Sequence, residues 1–232
     1  SGTGTGDASG TVFLQGVSTI TYTVTDMGGN TKTCSFELEV QCQPDEDDCM
    51  EWVRQIGGNS GGAALEIALD PLGNIYTAGY FSGTMDFDPG AGVFNLSSSA
   101  TNVADVFVTK LDAAGNFIWA VKMGGPGVDQ AYAMTVDASG NVYTTGSFTG
   151  TADFDPGAGV FNLIAAGYDV FVSKLDASGN FVWAKSMSGS AAEIAYAIAV
   201  DVSGNVYTGG IFNGAPDFDP GAGVATLTAV GG

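Results

Sequence analysis

Three pairs of aspartates are the candidates for catalysis or metal binding in this 232-residue chain: Asp86 with Asp88, Asp153 with Asp155, and Asp217 with Asp219. Residues two apart on a strand share a face, so the two carboxylates of a pair could converge. The chain has no histidine, and general acid-base catalysis would therefore depend on such pairs. A catalytic pair is normally a single constellation. Three copies of one D-F-D segment instead predict a structural or metal-binding role, and we predict no catalytic residue.

Calcium is the ion that these pairs would suit, and it is the one candidate cofactor. Two carboxylates at i and i+2, followed by a turn with free backbone carbonyls, provide the oxygen ligands that Ca²⁺ prefers. The segment is not an EF-hand loop, because Gly90 and Ser97 occupy its fifth and twelfth positions. The alternative is that Asp88, Asp155 and Asp219 cap the D-P-G turn while the first aspartate of each pair is solvated.

The aspartate pairs belong to a longer internal repeat. Trp52, Trp119 and Trp183 are separated by 67 and 64 residues, and the sequence between them repeats closely, with the third copy incomplete. Each copy carries the motif D-x-x-G-N, with Asp as a turn cap and Gly supplying a positive φ before the return strand. The motif begins at Asp70, Asp112, Asp137, Asp176 and Asp201.

Two hairpins per copy predict four short strands, since the flanking segments are β-branched and aromatic. Apolar residues at consecutive positions, as in Val170, Phe171 and Val172, require both faces of each sheet to be covered. Radial stacking of such sheets gives a β-propeller, with a linear β-solenoid as the alternative. The predicted fold is all-β, with about two and a half four-stranded blades.

The recurring aromatic residues are predicted to form the blade core rather than a carbohydrate-stacking platform. They are Tyr76, Tyr143, Tyr207, Phe81, Phe148 and Phe212, together with Trp119 and Trp183. Asp129 and Glu193 share one repeat position, but the first copy has Gly62 there, which weakens any site built at that position. The segment Trp52–Gly58 matches the last strand of a blade and could complete the final blade of a closed ring.

Composition excludes several classes of function. With 6 basic and 25 acidic residues the formal charge is −19, which opposes binding to nucleic acid and to anionic membranes. No apolar run reaches the roughly 18 residues of a membrane span, so membrane insertion is not expected. The chain opens without Met and stops within a repeat, and we interpret it as a segment of a longer protein.

Cys42 and Cys49 could form a disulfide in an oxidising compartment, and Cys34 would then need a partner outside this segment. A zinc site is the alternative.

The repeat resembles the SBBP-type β-propeller repeat of bacterial surface and secreted proteins. D-x-x-G-N-V-Y, G-T-x-D-F, D-x-F-V-x-K-L-D and G-N-x-x-W occur in that order, although the DFDPGAG loop is longer than the family form. The segment GTVFLQGVSTITYTVTDMGGNTKTCSFELEV resembles the last strands of a HYR module, an immunoglobulin-like sandwich. We therefore expect the end of a HYR module at 1–43, an acidic linker at 44–51 and propeller repeats at 52–232, with copies starting near 52, 119 and 183.

These resemblances imply a non-catalytic extracellular protein, secreted or on the cell surface, that acts as an adhesion or binding scaffold. Its expected partners are a protein or carbohydrate ligand and further repeats of the same full-length protein. The alternative is the substrate-docking region of a secreted enzyme whose catalytic domain lies outside this segment. Repeat units rely on their neighbours for burial, so this segment alone is expected to be marginally stable or to associate.

Overall fold

The computed structural model describes residues 52–58 and 61–230 in full, together with the backbone of two strands at 16–25 and 31–40. Within these residues the regular elements are all strands, which confirms the predicted all-β class. The chain divides into two compact units, Ser1–Gln55 and Ile56–Gly232.

The first unit contains one antiparallel hairpin. Strands β1 (Gly16–Thr25) and β2 (Thr31–Val40) pair over their full length, with Cys34 on β2 opposite Tyr22. The acidic linker predicted at 44–51 lies outside the described residues. Cys42 and Cys49 are also outside the described residues, so their pairing and the alternative zinc site stay predictions.

The second unit contains two complete four-stranded antiparallel sheets, in which the order of strands follows the chain. Blade 1 consists of β3 (Gly62–Leu69), β4 (Ile75–Phe81), β7 (Asp105–Leu111) and β8 (Phe117–Met123), with the small hairpin β5 (Thr84–Asp86) and β6 (Asn95–Ser97) between β4 and β7. Blade 2 consists of β9 (Gln130–Val136), β10 (Val142–Asp153), β11 (Asn162–Leu175) and β12 (Phe181–Met187).

Blade 3 contributes the pair β13 (Ile194–Val200) and β14 (Val206–Ile211), which corresponds to the first two strands of blade 2. The inner strand of each blade packs against the preceding sheet, β9 against β3 and β4, and β13 against β9 and β10. The second unit is therefore a partial β-propeller of two and a half blades, as predicted.

The D-x-x-G-N motifs form the hairpin turns that the sequence predicts. In blade 2, Asp137 Oδ1 accepts hydrogen bonds from the backbone N–H of Ser139 and of Asn141, and Oδ2 accepts one from the Asn141 side chain. Gly140 adopts a φ of +80°, a conformation that costs a residue with a Cβ about 1 to 2 kcal/mol. The same carboxylate cap recurs at Asp70, Asp112, Asp176 and Asp201.

Both faces of the central strands are buried. Val170, Phe171 and Val172 are at most 6 % exposed although they alternate between the faces of β11. A single core cluster joins Tyr76 of blade 1 with Val142 of blade 2, so the interface between the blades is itself hydrophobic core. The predicted burial of Tyr76, Tyr143, Phe81 and Phe148 is confirmed.

The core prediction was wrong for the aromatic residues at the edges of this array. Tyr207 is 58 % exposed, because no sheet among the described residues covers the face of β14 that corresponds to the face carrying Tyr143. Phe212 is only half-buried, although it packs against Phe218 with ring centroids 5.1 Å apart. Trp119 and Trp183 are also half-buried, although Trp119 packs against the core cluster that spans the two blades.

Gly57, near the end of the segment Trp52–Gly58, takes the position of a strand end without belonging to a strand. Gly57 makes an isolated antiparallel bridge with Asp86, as Gly124 does with Asp153 and Ser188 with Asp217. Gly124 directly follows β8, the fourth strand of blade 1, so Gly57 occupies the place of a fourth-strand terminus. Completion of a closed ring by this segment stays a prediction.

Candidate binding surface

The D-F-D segments are held in place by the phenylalanine between the two aspartates. Phe154 is fully buried and packs against Phe148 and Phe171, with centroid distances of 5.5 and 4.8 Å. Because side chains alternate along an extended segment, burial of Phe154 directs Asp153 and Asp155 to the opposite side. Phe87 in blade 1 and Phe218 in blade 3 make the corresponding aromatic contacts.

Both carboxylates of each pair accept hydrogen bonds from the loop backbone. Asp153 Oδ1 accepts the N–H of Asp155 at 3.0 Å and that of Phe161 at 2.8 Å, so it joins the two ends of the loop. Asp155 Oδ1 accepts the N–H of Gly157 at 2.8 Å. The pattern recurs in the other two loops. Turn capping by the second aspartate is confirmed, whereas the prediction that the first is merely solvated was wrong.

The electrostatics of the loop follow from these bonds. Hydrogen bonds from the backbone N–H of Ala225 and then of Asp219 lower the pKa of Asp217, so this carboxyl stays ionised. In the described part of the chain, no group of three or more His, Cys, Asp or Glu side chains is placed to hold a metal ion. Calcium binding at the six paired aspartates stays a prediction.

The loops present the same exposed apolar side chain in each of the three copies. Val93 and Val160 are each 71 % exposed and Val224 is 79 % exposed, whereas the following Phe94 and Phe161 are partly covered. Phe161 packs against Phe181 with ring centroids 4.8 Å apart, which fixes the loop against its own sheet. We define the D-F-D-P-G-A-G-V loops as residues 86–93, 153–160 and 217–224.

An open cleft lies beside the loop of blade 2. Its volume is about 360 Å³, and it is bordered by the outer strand β8 of blade 1, the loop and the turn between β11 and β12. The lining is mixed polar and apolar: Val121, Asp155, Pro156, Gly157, Ala158, Gly159, Ser178, Gly179, Asn180 and Phe181. No motif in the sequence predicts this cleft, because it arises only where two blades meet.

Four buried acidic residues lie at the blade interfaces, and the sequence analysis predicted no site there. Asp105, Asp129 and Asp169 are fully buried, and Glu193 is 1 % exposed. Burial, and to a lesser extent the charge of Asp105, raises the pKa of Asp129 to about 7, against hydrogen bonds that lower it. The recurrence of Asp105 and Asp169 at the start of the D-V-F-V strands was the available signal. The repeat position shared by Asp129 and Glu193 was discounted as a site because the first copy has Gly62 there.

The fold and its loops define an all-β repeat protein of the propeller type. The SBBP beta-propeller repeat family matches residues 51–80 and 118–155, and the HYR domain family matches residues 3–40. Both resemblances inferred from the motifs are thereby confirmed. Repeat families of these kinds are typically non-catalytic, and the HYR domain is typically extracellular.

The chain is also 27 % identical, over 212 residues, to an uncharacterized WD repeat-containing protein, L264, of Acanthamoeba polyphaga mimivirus. The match covers 80 % of this chain but only 15 % of that protein, so the chain spans a small part of its relative. Together the repeats and this relative favour a repeat-based binding scaffold. In the part of the chain that the structure describes, no helix is long and apolar enough to cross a membrane.

Proposed function

We propose that this chain is part of a secreted or cell-surface scaffold that binds an extracellular partner without catalysing a reaction. The observation that carries the proposal is the threefold presentation of one loop. Val93, Val160 and Val224 stand in the same place on successive blades and are all more than two thirds exposed. A repeated apolar tip on a rigid sheet provides several equivalent contacts, which raises overall affinity when one partner spans them.

A protein partner suits this surface better than a carbohydrate. The exposed valine tips of the loops are aliphatic. The aromatic rings that directly follow the loops pack against their own sheets, as Phe161 packs against Phe181. Loops on a rigid scaffold are common positions for binding residues. The high negative charge of the chain favours a partner with a basic surface around an apolar centre.

The proposal can be tested with panels of purified extracellular proteins and glycans probed with the full chain. Where a ligand is found, Val160→Asp should weaken its binding, since a charge is placed in an apolar contact. Val202→Asp is the matched control, because Val202 is fully exposed on a different turn. Equal binding by the two variants would contradict the role of the loops, and turnover of the ligand would contradict a non-catalytic scaffold.

The location is tested separately. Protease treatment of intact cells of the source organism should remove the protein from a blot while sparing a cytoplasmic marker. Protection of the protein in intact cells, with digestion after lysis, would contradict an extracellular location.

A further inference from the structure

Two pairs of buried carboxyl groups lie at equivalent places in the two blade interfaces. Asp105 and Asp169 each belong to the third strand of a blade, and Asp129 and Glu193 each precede the first strand of the next blade. The second pair follows the first by 64 residues, which is the repeat length. Each pair therefore joins one blade to its neighbour.

In the first pair the two carboxyl groups face each other across Gly124. A Cβ on Gly124 would stand 2.8 Å from Asp129 Oδ2 and 3.0 Å from Asp105 Oδ1. Asp105 Oδ2 is satisfied by Ser99 and by Lys122 Nζ at 3.1 Å, but Asp105 Oδ1 is buried without a hydrogen-bond partner among the described residues. The unpartnered oxygen is thus the one directed to Asp129.

The second pair lacks the compensating cation. The position of Lys122 is taken by Ser186 in blade 2, and no ion pair joins Asp169 or Glu193 to a basic residue in the described part of the chain. Asp169 Oδ1 and both carboxyl oxygens of Glu193 are buried without a partner there. Burial, and next the charge of the adjacent Asp169, raises the pKa of Glu193, against a smaller opposing effect of the Gly189 backbone.

Two ionised carboxylates that lie close together out of water repel each other, most strongly where no cation compensates them, as in the second pair. A single proton removes the repulsion and supplies the missing hydrogen bond. We propose that each blade interface is closed by a carboxyl pair that shares one proton, Asp129 with Asp105 and Glu193 with Asp169, and that loss of this proton loosens the interface. Lys122 faces the first pair, whereas in the described part of the chain the second pair is faced by no basic side chain and Asp169 is approached by the backbone N–H groups of Ala166, Gly189 and Gly167.

The sign of the pH effect follows from proton binding. The folded chain holds protons that the unfolded chain releases near pH 4, so stability falls as the pH rises from there through the folded-state pKa values. A proton, rather than a metal ion, is favoured because two carboxyl groups fall short of the oxygen ligands that Ca²⁺ requires. The proposal is independent of the ligand of the exposed loops.

The test compares urea unfolding of the full chain at about pH 5.5 and about pH 8.5, for the wild type, Glu193→Gln and Glu66→Gln. The glutamine at 193 imitates the protonated acid, so its urea midpoint should fall less between these pH values than the wild-type midpoint does. Glu66→Gln removes the same charge from an acid of β3 whose carboxylate accepts the backbone N–H of Ile67, and it should keep the wild-type pH dependence. An unchanged pH dependence in Glu193→Gln would overturn the proposal.

Two further measurements cover the other outcomes. Infrared spectra of the wild type should show the carbonyl stretch of protonated carboxylic acid at neutral pH, decreasing at alkaline pH; its absence at neutral pH would overturn the proposal even if a variant failed to fold. Roughly 1 mM CaCl₂, compared with EDTA, should leave the wild-type midpoint at alkaline pH unchanged. A rise with calcium in the wild type but not in Glu193→Gln would show a cation site instead of a shared proton.

Discussion

The indole nitrogen of Trp119 donates a 3.2 Å hydrogen bond to the carbonyl oxygen of Ala177. Trp119 lies on the outer strand of blade 1 and Ala177 in the last turn of blade 2, so this bond crosses the blade interface. Lys110 Nζ donates to the same carbonyl at 3.3 Å. Trp119 therefore forms a contact between the two blades.

Replacement of Trp119 by Phe should lower the free energy of unfolding by about 1 kcal/mol more than the same replacement at Trp183, since only the former loses a described hydrogen bond across an interface. Both variants lose similar contacts with the tyrosine of their own blade, Tyr76 or Tyr143, so the difference reports the contacts of Trp119 across the interface, including this bond. Urea denaturation followed by circular dichroism measures it. Equal losses in the two variants would contradict the interpretation.

Gly179 and Gly204 offer a matched pair for the packing of the hairpin turns. Both have a φ of +83°, so alanine should cost about 1 to 2 kcal/mol at either position. A Cβ at Gly179 would also lie 3.1 Å from the ring of Trp119, whereas nothing lies within 4 Å of one at Gly204. We expect Gly179→Ala to be destabilising by about 1 kcal/mol beyond Gly204→Ala, measured as above. A smaller loss at Gly179 would contradict the ring contact.

The hairpin cap at Asp137 predicts stability that is lost in acid. Burial alone would raise its pKa, but hydrogen bonds from Asn141, Ser139 and Tyr143 together hold it below the ordinary value of 3.8. The stabilisation is therefore complete above the unfolded-state pKa and disappears as the pH falls through the lower, folded-state pKa. Asp137→Asn should cost about 1 to 2 kcal/mol at neutral pH, with the difference from wild type vanishing in strong acid.

Denaturant titrations across acidic pH measure this effect. Asp201→Asn serves as the comparison, because its cap has the same bonds on an exposed turn and should change stability less. A constant difference between Asp137→Asn and wild type at every pH would contradict the role of the ionised carboxylate. The stability from this cap is lost as the pH falls, whereas the stability proposed for the buried carboxyl pairs is lost as the pH rises.

Calcium binding at the six paired aspartates is open to direct measurement. One oxygen of each carboxylate already accepts backbone N–H groups, as in Asp153 and Asp155, which leaves few free ligands for the ion. The prediction of calcium binding requires calorimetric titration with calcium in the millimolar range to show binding heat and a thermal shift; their absence would leave these carboxylates as turn caps alone. Binding heat that disappears when the three first aspartates are changed to Asn would instead establish the calcium site.

The uncovered faces predict that this chain associates when isolated. Ile67 and Leu69 on β3 are 64 and 63 % exposed, and Tyr207 on β14 is 58 % exposed. Light scattering after size exclusion should show species larger than the monomer, and Ile67→Lys should reduce them. Val202→Lys, on a fully exposed turn, should leave them unchanged. A strict monomer with a sharp, reversible melt would contradict the expectation.

The strands, the turns and the repeat could all be predicted from the amino-acid sequence. These depend on local chemistry: an Asp that caps its own turn, a Gly at positive φ, and alternating aromatic and β-branched residues, all visible within a few positions of each other. The capping role of Asp155 and the burial of Phe171 followed in the same way. The requirement for neighbours on both faces also followed, because consecutive apolar residues cannot all be buried by one partner.

The residues that meet across a blade interface could not be predicted and are known from the folded structure. Asp105 and Asp129 are 24 positions apart, and neither neighbourhood in the sequence shows that their carboxyl groups share a buried space. The exposure of Tyr207 likewise depends on what covers its sheet and not on its motif, which is identical to that of the buried Tyr143. Local pattern fixes conformation, whereas burial and the protonation it imposes depend on contacts between distant parts of the chain.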